Sequence, residues 1–144
     1  MLRMAVQALL CVGVLPFYPF VLLFTAMMFT PGFWRDAATF TWENWIFYLI
    51  YPAAAIGLPA LLLSIFVAPA ALPPRWARFV VIGLLAGSFT AVTFLALVVP
   101  RSIAAQDWSG LWSSAWQLGG PLLVALWNLG RLWRTTRRPV PAAA

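Results

Sequence analysis

Apart from tyrosines and termini, the ionisable side chains of this 144-residue chain are three acids, one cysteine and nine arginines. Asp36 and Glu43 lie close together, and paired carboxylates are the residue types that general acid and base catalysis uses. Nothing polar nearby supplies the third group or the cleft that would complete such a site. Histidine is absent, which removes the usual haem ligand, the commonest metal ligand and the usual general base. Cys11 stands alone and can form neither an intrachain disulfide nor a Cys-x-x-Cys pair. Serine and threonine hydroxyls are present, yet no histidine or lysine is there to activate one. The expected protein is therefore not an enzyme and carries neither metal nor cofactor.

The elements that hold these residues are apolar. Of all residues 64% are hydrophobic and 8% charged, a ratio that belongs to the bilayer and not to water. Crossing about 30 Å of hydrocarbon takes about 20 apolar residues in helical form. Stretches at about 4–30, 44–68, 78–99 and 111–133 meet that length, so the sequence predicts an all-α integral membrane protein, a four-transmembrane-helix bundle. Residues 1–134 form one membrane domain and 135–144 a short cytoplasmic tail. Pro16 and Pro19 in the first span, Pro52 and Pro59 in the second, and Gly119, Gly120 and Pro121 in the fourth predict kinks, because proline removes a ladder bond and frees a carbonyl. The third span has no internal proline and should be the straightest. A surface helix over 108–118 competes with the first half of span four.

Two stripes of small residues predict helix packing. Gly83, Gly87 and Ala91 recur every four residues in the third span, and Ala53, Gly57, Ala60 and Ser64 form a comparable face on the second. They either close the chain into an antiparallel hairpin or recruit another subunit. Asn44, Tyr48 and Tyr51 share one face of the second span, with the Tyr48 carbonyl released by Pro52, and either line an outward-opening pocket or anchor the helix at the interface. Phe17, Phe20, Phe24, Met27 and Met28 follow one face of the first span, suited to lipid or to a flat apolar molecule. Gln117, Asn128, Ser64, Ser88, Thr90 and Thr93 read as interhelical hydrogen-bonding groups. No charged residue falls in the central part of a span, which argues against proton- or sodium-coupled pumping.

Orientation follows from arginine placement. Four spans put both termini on one side, together with Arg3, Arg75, Arg78, Arg131, Arg134, Arg137 and Arg138, whereas Arg35 and Arg101 lie opposite. The side rich in arginine is cytoplasmic; the lysine-free basic set, with its alanine and tryptophan enrichment, suits a GC-rich bacterial genome, and the expected location is a bacterial inner membrane. Arg131, Arg134, Arg137 and Arg138 then anchor the chain to anionic headgroups. Trp34, Arg35, Asp36, Trp42 and Glu43 form a loop suited to docking a partner. Nucleic acid is not an expected partner. What remains is a non-enzymatic membrane subunit or scaffold that packs in a homo- or hetero-oligomer, with a passive channel or carrier for a neutral solute as the second reading.

Overall fold

The computed structural model describes residues 2–30, 32–33, 41–67 and 71–136. Among these residues there is no β-strand. The helices are α1 (Leu2–Cys11), α2 (Tyr18–Met27), α3 (Trp42–Phe66), α4 (Pro74–Ala104), α5 (Trp108–Ser114) and α6 (Gly120–Thr136). Two irregular turns complete the path. A 3₁₀ segment, Val12–Phe17, joins α1 to α2, and a π segment, Ala115–Gly119, joins α5 to α6.

Each irregularity falls where the chain cannot keep an α-helical ladder. Pro16 lies inside the 3₁₀ segment and Pro19 opens α2, so two amide donors are missing within one turn. The π segment abuts Gly120 and Pro121. Pro52 and Pro59 do not interrupt α3, which runs on through both. One compensation is visible: the Tyr18 hydroxyl donates to the carbonyl of Ala55, 3.1 Å away, four residues before Pro59. The helix α4 is longer than the span expected from the sequence and continues through Pro100 to Ala104, with Arg101 in its last turn. From Trp108 to Thr136 the chain is one helical run, in which 108–118 joins α6 through the π segment.

Three helical stretches are long and apolar enough to cross a membrane: Leu2–Met27, Tyr48–Phe66 and Pro74–Ala104. The Trp108–Thr136 run is not among them, since its serines, Gln117, Asn128 and arginines lower its apolarity. Large apolar side chains face outward on several elements, with Phe20, Leu49, Ile82 and Leu123 each more than half exposed. Such a surface is compatible with a membrane protein. The core is built from Cys11, Leu58, Leu61, Ile65, Val80, Leu84, Val124, Ala125 and Leu132, contributed by α1, α3, α4 and α6.

Candidate functional site

The helices α3 and α4 pack backbone to backbone. A methyl group built on Gly57 would lie 2.7 Å from the Gly87 Cα, and one on Gly83 would collide with the Ala60 Cβ. Gly57 therefore faces Gly87, and Ala60 faces Gly83, in an antiparallel register. Ala91 is buried further along α4, while Ala53 is half-buried one turn before Gly57. Thr90 extends the seam: its hydroxyl is 3.0 Å from the Ala86 carbonyl of its own helix and 3.5 Å from the Ile50 carbonyl across it.

At one end of this seam three helices are joined by side-chain hydrogen bonds. Asn128 Nδ2 donates to Ser64 Oγ at 3.0 Å, and Ser64 Oγ donates to the Leu61 carbonyl at 2.7 Å. Gln7 Nε2 donates to Asn128 Oδ1 at 3.4 Å. All three residues are buried, so these bonds form where water does not compete and where an unpaired amide would be costly. The contacts place the middle of α1, the end of α3 and the middle of α6 together. Both described chain ends thus lie at one end of the bundle. Gln7 Oε1 and Ser88 Oγ are the buried polar atoms without a hydrogen-bond partner among the described residues.

The two irregular segments meet in the middle. A methyl on Gly13, in the 3₁₀ segment, would lie 3.1 Å from Trp116 Cδ1 and 3.5 Å from the Gln117 Cα of the π segment. Next to them is a small cavity of about 70 Å³, whose lining includes Val14, Gly57, Gly87, Thr90, Gln117 and Pro121. Its walls are mostly hydrocarbon, with Thr90 and Gln117 as the polar side chains. That volume holds a few waters or a small neutral molecule. It offers no group able to exchange a proton at ordinary pH.

The opposite end of the bundle is aromatic. Tyr51 stacks on Phe24 with ring centroids 4.8 Å apart and planes at 12°. Tyr48 meets Phe33 edge-on at 5.0 Å and Trp45 at 6.3 Å. Both tyrosines of the expected outer pocket therefore pack against neighbouring rings, two of them from the segment that follows α1. The Asn44 side chain lies outside the described residues, as do the side chains of Trp42 and Glu43. Trp34, Arg35 and Asp36 lie outside them altogether, so the expected docking loop has no described geometry. Of the tail arginines, Arg131 is half-buried and Arg134 exposed, and Arg137 and Arg138 fall beyond the described residues.

The third acid has a structural task. Asp107 precedes α5 and accepts from the Gly110 amide and the Ser109 hydroxyl, both at 2.9 Å. These two bonds, the Gly110 amide foremost, hold its carboxyl below the ordinary aspartate value. Among the described residues no cluster of histidine, cysteine or acid could hold a metal ion. The interhelical roles of Asn128, Ser64 and Thr90 follow the residue types the sequence offers, but the part played by Gln7 does not. The signal for it was depth: with both termini at one end, a residue shortly after the start of the first helix lies level with one shortly before the end of the last.

No known family, curated protein or solved structure matches this chain. Function must accordingly be argued from the geometry alone.

Proposed function

We propose that the chain is a bacterial inner-membrane protein, a four-span bundle with both termini cytoplasmic, and that it serves as a non-enzymatic subunit or scaffold of a larger membrane assembly. One observation carries this reading, the uneven burial of the spans. In the most apolar stretch of Leu2–Met27 only 6% of residues are buried, against 39% in Tyr48–Phe66 and 33% in Pro74–Ala104. The first span leans on the others through Gln7, Cys11, Tyr18 and the Phe24 ring stacked on Tyr51, and turns Phe17 and Phe20 outward. Small-residue faces are spent on the α3–α4 seam, so recognition of a partner falls to this aromatic face. Aromatic side chains bury large areas with specific ring geometry, which suits them to helix docking.

The test is extraction of the tagged protein in a mild detergent, then native size analysis and mass spectrometry. The expected result is co-migration with a defined set of other membrane proteins, weakened by Phe17→Ala with Phe20→Ala while the melting temperature holds. A discrete particle of this chain alone would contradict the hetero-assembly.

A second reading, a passive path for a small neutral solute, draws support from the central cavity beside Gln117 and Thr90. Solute flux into liposomes that is lost on Gln117→Leu would favour it over the scaffold. Absence of flux for every small neutral solute tried would count against it.

A further inference from the structure

We propose that two lateral grooves flanking α6, at the end of the bundle that carries both termini, each hold one anionic phospholipid. The proposal rests on the membrane-bundle reading above. The first groove, of about 430 Å³, runs between α1 and α6 and is lined by Arg3, Gln7, Leu10, Leu123 and Trp127, among others. The second, of about 460 Å³, runs between α4 and α6 past Arg78, Val81, Ile82, Leu129 and Trp133. Both volumes fall in the range of about 300 to 1,000 Å³ typical of small-molecule sites.

The two grooves share one composition although different helices build them. Each has one guanidinium, one indole and otherwise mainly aliphatic walls. The order along the helix is also the same. Arg3 lies one turn nearer the helix start than Gln7 and two turns nearer than Leu10, and Arg78 likewise precedes Val81 and Ile82. A cation at the rim with hydrocarbon below it is the complement of a phospholipid, whose phosphate sits above its acyl chains. Arginine binds phosphate oxygens with two parallel hydrogen bonds, and tryptophan favours the headgroup level.

Charge selects the occupant. The described arginines at this end are Arg3, Arg75, Arg78, Arg131 and Arg134, while Asp107 lies at the far end of α4 and Glu43 falls in the first turn of α3, also at the far end. A second copy of the chain, apposed side by side in the same orientation, would bring arginine against arginine. A small soluble anion would leave the apolar walls uncovered. In the first groove Gln7 lies one turn below Arg3 and is held against α6 by its bond to Asn128. Phosphatidylglycerol carries a net negative phosphate above two acyl chains, which makes it the appropriate probe.

The experiment uses the full chain, purified in mild detergent, freed of co-purifying lipid and titrated with phosphatidylglycerol or phosphatidylcholine of matched acyl chains, with bound lipid counted by native mass spectrometry. Wild type should take up two phosphatidylglycerol molecules in preference to phosphatidylcholine. Arg3→Gln and Arg78→Gln should each weaken one site about fivefold, and the double variant should lose the preference. Both arginines are exposed, so these variants should melt as wild type does, and the double Arg→Lys variant should keep the preference because it keeps the charge. Equal uptake of the two lipids by wild type, or an undiminished preference in the Arg3→Gln, Arg78→Gln double variant, would overturn the proposal. Recovery of wild type from the soluble fraction of cells would instead overturn the membrane reading on which it rests.

Discussion

Glycine does unlike things at different points of this chain. At Gly57 the absent side chain lets two helix backbones touch, and a methyl there would press on the Gly87 Cα; around Gly130 nothing lies within 4 Å of such a methyl. Gly57→Ala should therefore destabilise the protein by about 1 to 3 kcal/mol through overpacking. Gly130→Ala should be neutral or stabilising by up to about 1 kcal/mol through helix propensity. Thermal melting in detergent separates the two, and equal melting temperatures would refute the packing account of the seam. Gly87→Leu should be worse than either. Asn128 is the shared member of the bonds to Gln7 and Ser64, each worth about 0.6 to 2 kcal/mol in such a setting. Asn128→Leu should lower the melting temperature, whereas Gln7→Leu, which removes only the longer bond, should cost less. The glycine spacing was legible because small residues every four positions have few other physical meanings. The Gln7 contact was not, since it joins residues far apart in sequence and depends on the relative depth of two helices.

At the scale of elements the turn between α4 and α5 is the most informative. Gln106 has φ of 53°, in the left-handed region, and the amides of Gln106 and Asp107 bond back to the carbonyls of Ile103 and Ser102. This is the pattern that commonly ends a helix on glycine. A side chain with a Cβ costs roughly 1 to 2 kcal/mol there, so Gln106→Gly should raise stability, and a fall in melting temperature would contradict the assignment. Asp107 then starts α5. Because its folded pKa lies below its unfolded value, the cap contributes above the unfolded pKa and is lost as pH falls through the folded one. The Gly110 amide resonance should therefore titrate with a midpoint below 3.8, the ordinary aspartate value, and a midpoint at or above it would exclude the cap. The prolines of the first span and the Gly-Gly-Pro run of the last pointed to irregular helix. That the first would tighten into 3₁₀ and the second widen into π, and that the two would pack together, depends on partners that local sequence does not specify.

For the molecule as a whole, the decisive question is whether the Trp108–Thr136 run crosses the bilayer. It is less apolar than the other three, and three spans would put the termini on opposite sides. Its second half, however, turns Asn128 inward, 2% exposed and bonded to α1 and α3, while Leu123, Leu126 and Trp127 face outward; Gln117 is half-buried, and Ser109 and Ser113 are exposed toward the start of the run. A helix whose polar groups are paired within the bundle can sit in lipid despite a modest average hydropathy. The contacts of Gln7 with Asn128, and of Asn128 with Ser64, also set Leu2 and Thr136, the described ends, on the same side of the bundle. The most direct test is accessibility of single cysteines, in a Cys11→Ser background, to a membrane-impermeant maleimide in intact cells. The four-span account predicts labelling of Ser109→Cys from outside, and of Leu2→Cys and Ala142→Cys only after the membrane is opened. Labelling of Leu2→Cys and Ala142→Cys from opposite sides would contradict it.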